Sequence, residues 1–102
     1  MIAIGESGAE SCTASRVTAV RAAGTTTVRW ERVVSRDLRG YVVYRAERTD
    51  GLRTRLTAQP VTTLEFIDRA GTATSRYVIR AVDASGNESD ESPVAVTVER
   101  RP

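Results

Sequence analysis

Residues 76–89 read RYVIRAVDASGNES. Successive side chains of an extended segment point to opposite faces, so Tyr77, Ile79 and Ala81 fall on one side and Val78, Arg80 and Val82 on the other. The alternation stops at Asp83, where small, polar and acidic residues take over. Such a break reads as the turn after a strand. Asp83 can bond the loop backbone, Gly86 and Asn87 tolerate positive φ, and Ser89 can bond a neighbouring amide. Asp83, Ser85, Asn87, Ser89 and Glu91 also place oxygens at alternate positions, like a calcium-binding loop. Counted from Asp83, however, the glycine comes fourth instead of sixth, and Val94 stands at the twelfth position, where a glutamate is needed. Turn chemistry explains the stretch more fully than a metal does.

The same pattern repeats along the chain. RVTAV runs into the turn signal AAGT, and TTVRW puts Thr26, Val28 and Trp30 on one face. RDLRG turns the chain into YVVYRAE, with Tyr41, Val43 and Arg45 on one face and Val42, Tyr44 and Ala46 on the other. Asp50 and Gly51 form a turn before LRTRLT, in which apolar and basic residues alternate. TTLEFID alternates Leu64, Phe66 and Asp68, and VAVTVE puts Val94, Val96 and Val98 on one face. Pro93 opens this last strand, where its missing N–H does no harm. Seven short strands, separated by turn signals and without helical periodicity, predict an all-β protein: a seven-stranded antiparallel Greek-key β-sandwich of immunoglobulin-like type. Trp30, Tyr41, Phe66 and Tyr77 are its expected core. Val17, Val28, Val43, Ile79, Ala81, Val94 and Val96 are expected to fill between them.

The chain has 102 residues, a single-domain length. Residues 1–14 read as a flexible tail, a linker or an added strand, residues 15–99 as the domain, and residues 100–102 as a further linker. Apolar residues make up 40% and charged residues 27%, the balance of a globular domain. No apolar run reaches the roughly 18 residues that cross a bilayer, so no membrane insertion is expected. MIAIGESGAESC lacks the basic and apolar regions of a signal peptide, so any export signal is expected to lie upstream or to have been removed. The formal net charge is +2 and all fifteen basic residues are arginines. They are scattered among carboxylates, the pattern of a mixed solvated surface and not of a nucleic-acid stripe. Cys12 is the only cysteine, so an intramolecular disulfide is excluded. It reads as an incidental thiol or one that pairs between molecules.

Taken together, VRW at Trp30, DLRGYVVYR at Tyr41 and Val43, FIDRA, YVIRAVDASGNES and SPVAVTV resemble, in order and spacing, a fibronectin type III domain of the bacterial extracellular kind. The resemblance covers about residues 15–99. It implies that Tyr77 is the tyrosine of the family's corner, with its hydroxyl bonded to backbone near the preceding loop. It also implies a module found in tandem or beside carbohydrate-active domains. The chain departs from the family in two places. The proline usual before the first strand is missing, and AGTATS replaces the usual leucine and proline ahead of Tyr77, which loosens the expected corner.

Composition excludes most catalysis. The chain has no histidine and no lysine, so imidazole triads, Schiff bases and lysine isopeptide links are ruled out. Thiolate or imidazole metal sites lack ligands. The carboxylates Asp37, Asp68, Asp83, Glu88, Asp90 and Glu91 fall on turns, with no evident cleft to set two of them across a substrate. No enzyme, cofactor or metal is therefore expected. On the third and sixth strands, Val42, Tyr44, Val78, Arg80 and Val82 form an outward stripe, read either as strand propensity or as a contact with an adjacent domain or identical subunit. The expected function is a non-catalytic spacer or assembly module of a bacterial secreted or cell-surface protein. Its partners would be proteins, with carbohydrate reached only through neighbouring domains and no nucleic acid. Two alternatives stand beside this: an adhesion or ligand-binding module using loops 32–37 and 84–91, and a filament subunit that donates its N-terminal strand.

Overall fold

The computed structural model describes residues 14–48 and 50–100. The N-terminal residues 1–13, Cys12 among them, lie outside the described residues, and so does any strand they donate. Seven strands follow in order: β1 (Thr18–Ala22), β2 (Thr25–Arg29), β3 (Leu38–Ala46), β4 (Thr54–Arg55), β5 (Glu65–Asp68), β6 (Arg76–Asp83) and β7 (Ala95–Glu99). There is no helix among the described residues. Each strand falls on a segment whose apolar period is two.

The strands form one hydrogen-bonded sheet in the order β4-β3-β6-β7-β1-β2-β5. β1 and β2 make a hairpin in which Ala22 faces Thr25, leaving Ala23 and Gly24 as its loop. Both have positive φ, 53° and 83°. A tight two-residue hairpin of this hand needs that conformation, because it matches the twist of the strands. Gly24 adopts it freely, whereas Ala23 has a Cβ to accommodate.

β7 changes partner along its length. Tyr77 and Arg76 of β6 face Ala95 and Val96 in antiparallel register. Thr97, Val98 and Glu99 then lie alongside Ala19, Val20 and Arg21 of β1 in parallel register. The sheet is therefore mixed, not antiparallel throughout as the turn spacing predicts. The return from β6 fixes the direction of β7, and the hairpin with β2 fixes that of β1, so the two meet running the same way. Parallel neighbours leave no mark on the turn signals.

The sheet curls so that its halves share one interior. Ala19, Val28 and Trp30 come from the β1–β2 side, and Tyr41, Val43, Tyr77, Ile79 and Ala81 from the β3–β6 side. Trp30 and Tyr41 meet edge to face, with ring centroids 5.5 Å apart, worth about 0.5–1.5 kcal/mol beyond area burial. Phe66 is half-buried against this cluster. Ala14, assigned to the tail by sequence, is buried in it.

β7 is displaced by one residue from expectation. Ala95 and Thr97 face inward, while Val96 is 51% exposed and Val98 61%. A shift of one residue exchanges the two faces of a strand. The inward Thr97 is held by its hydroxyl, which donates to the Ser75 carbonyl at 2.7 Å.

The corner ahead of β6 is closed by a carboxylate. The Tyr77 hydroxyl donates to Asp68 Oδ2 at 2.6 Å, where the family resemblance implies a backbone acceptor. Asp68 also accepts from Arg45 at 2.9 Å and from the Ala70 amide at 3.0 Å. Burial would raise the Asp68 carboxyl, but the bonds from Tyr77, Arg45 and Ala70 outweigh it and hold it below its ordinary value. Burial, and then the bond to Asp68, pushes the Tyr77 hydroxyl up to about 12.

Candidate functional site

The predicted stripe lies on one face of the β3–β6 ladder, as its alternation requires. Val42 faces Arg80, Tyr44 faces Val78 and Gly40 faces Val82 across the strands. It is not an exposed apolar surface, however. Val42, Val78 and Val82 are all buried, and Tyr44 and Arg80 are only partly accessible.

The cover is a set of charged side chains. Glu88 accepts from the Tyr44 hydroxyl at 2.6 Å and from Arg55 at 3.0 Å. Arg53 forks onto both oxygens of Glu91, at 2.9 and 3.1 Å. Arg80 donates to the Ser89 carbonyl at 2.6 Å and lies over the Tyr44 ring, 5.9 Å from its centre. Arg53, Arg76 and Val94 close over Ala46 and Val78 without leaving room for a water. Arginine suits this position because its methylene stem covers apolar surface while its head stays paired. Burial, and then the bond to Glu88, raises the Tyr44 hydroxyl above its ordinary value.

Glu88 and Glu91 reach this face because residues 87–92 run back along β6. The Asp83 amide donates to the Asn87 carbonyl, the Ser89 amide to Ala81, and the Ser92 amide to Ile79. In return, the Ala81 amide donates to Ser89 Oγ at 2.9 Å and the Ile79 amide to Ser92 Oγ at 2.8 Å. Two serine hydroxyls thus take the place of backbone carbonyls along this edge. The turn itself is closed by Asp83 Oδ1, which accepts from the Ser85 and Asn87 amides at 3.0 and 2.8 Å. Gly86 takes the positive φ, and Asn87 does not. Of the alternate oxygens in this stretch, Asp83 Oδ1 and Ser89 Oγ are therefore engaged with backbone and Glu91 with Arg53. No group of three or more metal-ligating side chains forms among the described residues.

The two predicted recognition loops touch: the Ala84 amide donates to the Asp37 carbonyl at 2.9 Å. Loop 32–37 opens onto a hollow of about 460 Å³, lined by residues that include Arg32, Val34, Ser35, Arg39, Thr62 and Leu64, whereas Gly86 and Glu88 of the other loop border a smaller one of about 220 Å³. The floor of the larger hollow is fixed by Tyr41, whose hydroxyl accepts from the Val33 amide at 2.9 Å. Val34 stands 91% exposed on the rim. Most arginines elsewhere are paired, with Glu31, Glu65, Asp68, Glu88, Glu91 or Glu99. By contrast, the side chains of Arg32, Arg36 and Arg39 have no partner among the described residues. Sequence reading identified the loop but not this group, since pairing cannot be read from residues that are remote along the chain.

No protein-family model matches the chain, and no curated protein does. Solved structures do. A Fn3-like protein from Clostridium thermocellum superimposes with a TM-score of 0.74 and 23% identity, over 88% of this chain and 94% of that one. The rhamnogalacturonan lyase YesW matches over 88% of this chain with a TM-score of 0.65 and 28% identity, but over only 14% of its own length. The pectate lyase Pel3 from Pectobacterium carotovorum matches with a TM-score of 0.68 and 15% identity, over 27% of its length. The chain therefore has a fibronectin type III-like fold. It is the size of the Clostridium protein and corresponds to a small part of each lyase.

Proposed function

We propose that the chain is a non-catalytic module, a spacer that holds flanking parts at a set distance in a bacterial secreted or cell-surface protein. The observation that carries this reading is the parallel pairing of β1 with β7. Polypeptide comes in past Ser15, whose carbonyl accepts from the Glu31 amide, and leaves past Arg100, whose amide donates to the Arg21 carbonyl. Ser15 lies ahead of the start of β1 and Arg21 near its end, so the polypeptide enters at one end of that strand and leaves at the other. An arrangement with adjacent ends would fold the flanking parts back on each other.

In this reading the curled sheet works as the two layers of a Greek-key sandwich, with β7 stitching them together. The sealed outer face of β3–β6 fits a part that stands between neighbours without sticking to them. The likeness to small portions of large polysaccharide lyases supports a place beside carbohydrate-active domains, through which carbohydrate would be reached. The adhesion reading draws support from the hollow beside loop 32–37, whereas residues 84–91 are largely engaged in structure. Strand donation concerns residues outside those described.

Fusing the chain between two fluorescent proteins tests the spacer. Single-molecule energy transfer should give one narrow distance, unchanged from low to high salt. A distribution as broad as that of a glycine-serine linker of equal length would refute it.

A further inference from the structure

We propose that the hollow beside loop 32–37 docks a carboxylate-rich polypeptide segment of a neighbouring domain or partner protein. This goes beyond the spacer reading and does not depend on it. Residues 32–39, RVVSRDLR, carry three arginines against one aspartate. None of the three is paired among the described residues, although Arg29, Arg45, Arg53 and Arg55 each hold a carboxylate. Arg32 and Arg39 line the hollow, and Arg36 stands exposed in the turn between them. Guanidinium groups present fixed forks of donors that suit carboxylates.

The apolar part of the hollow narrows the occupant further. Val34 is almost fully exposed, and Leu38 and Leu64 are half-buried beside it. Arginine next to apolar side chains is the composition of a protein contact. The one aromatic lining the hollow, Tyr41, is buried, so no exposed ring offers a stacking platform to a sugar. Position agrees with this. Glu31 is bonded to Ser15, so the loop lies at the incoming end of the domain, where a preceding domain would abut.

The test titrates the isotope-labelled 102-residue chain with a synthetic peptide, Glu-Leu-Glu-Glu-Leu-Glu, followed by amide shifts. Expected are saturable shifts confined to residues 32–41 and 62–64, weakened by salt and lost with the Gln-for-Glu peptide. The double variant Arg32→Gln, Arg39→Gln should weaken binding about fivefold or more, as removal of close charge partners does at interfaces. Arg48→Gln, an exposed control, should leave it unchanged. No shifts at millimolar peptide, shifts elsewhere, or an equal loss in the control would overturn the proposal. So would tighter binding of hexagalacturonate at the same residues, which would make the hollow a glycan site.

Discussion

Tyr77 and Asp68 show how much one pair of side chains can carry. The hydroxyl and the carboxylate meet at 2.6 Å in the interior, and a Cβ at Gly71 would fall well inside contact distance of both. Gly71→Ala should therefore destabilise the domain by about 1–3 kcal/mol, the usual cost of overpacking, as read by urea unfolding. Stability equal to wild type would show that the corner yields freely. Tyr77→Phe should cost about 1–3 kcal/mol, because Asp68 loses a donor while still buried. The pH dependence follows from the shifts. The folded Tyr77 hydroxyl is raised from 10.0 to about 12, so its contribution is complete below pH 10 and is lost as pH rises toward 12. Asp68 is lowered from 3.8, so its contribution is present above that value and is lost as pH falls below it. The alkaline fall in stability should be shallower in Tyr77→Phe than in wild type; parallel profiles would refute the assignment. The sequence shows Tyr77 as an inward residue but not its acceptor, because Asp68 lies on another strand and reads only as the end of the alternation in TTLEFID.

At the scale of elements, apolar residues at alternate positions mark the segments that become strands, even though β3 and β6 bury both faces and β4 neither. Alternation failed where the deciding contacts lie between elements. In β7 both possible faces carry small or β-branched residues, and the alternation of VAVTVE points Val94 and Val96 inward; the structure turns Ala95 and Thr97 inward instead, with Thr97 held by its bond to Ser75. On β3 and β6 the stripe was assigned to the correct face, yet its cover comes from Arg53, Arg55, Glu88 and Glu91. These residues look like ordinary solvated charges until residues 87–92 are seen to run along β6. Ser89 and Ser92 hold that segment. Replacing either with alanine should strand the buried amide of Ala81 or Ile79 and cost about 1–3 kcal/mol. Hydrogen exchange should accelerate at that amide before it does at Val43, in the middle of β3. Uniform acceleration along β6 would mean that the hydroxyls do not act individually.

For the whole molecule, the fold class was legible because few architectures accommodate seven short strands around one tryptophan. The handedness and closure of the sheet were not legible, since the β1–β7 pairing joins residues almost eighty positions apart, on the order of the domain's length. That pairing has a mechanical consequence. Tension applied through the two ends would pull β1 and β7 in opposite directions along their common axis, loading their hydrogen bonds in shear and all at once. A hairpin pulled from its open end would instead unzip bond by bond. Force spectroscopy on tandem copies should therefore show a sharp, high rupture peak when the chain is stretched through its termini. A much weaker peak is expected when the same domain is pulled across Ala23 and Arg100, which lie at the same end of β1.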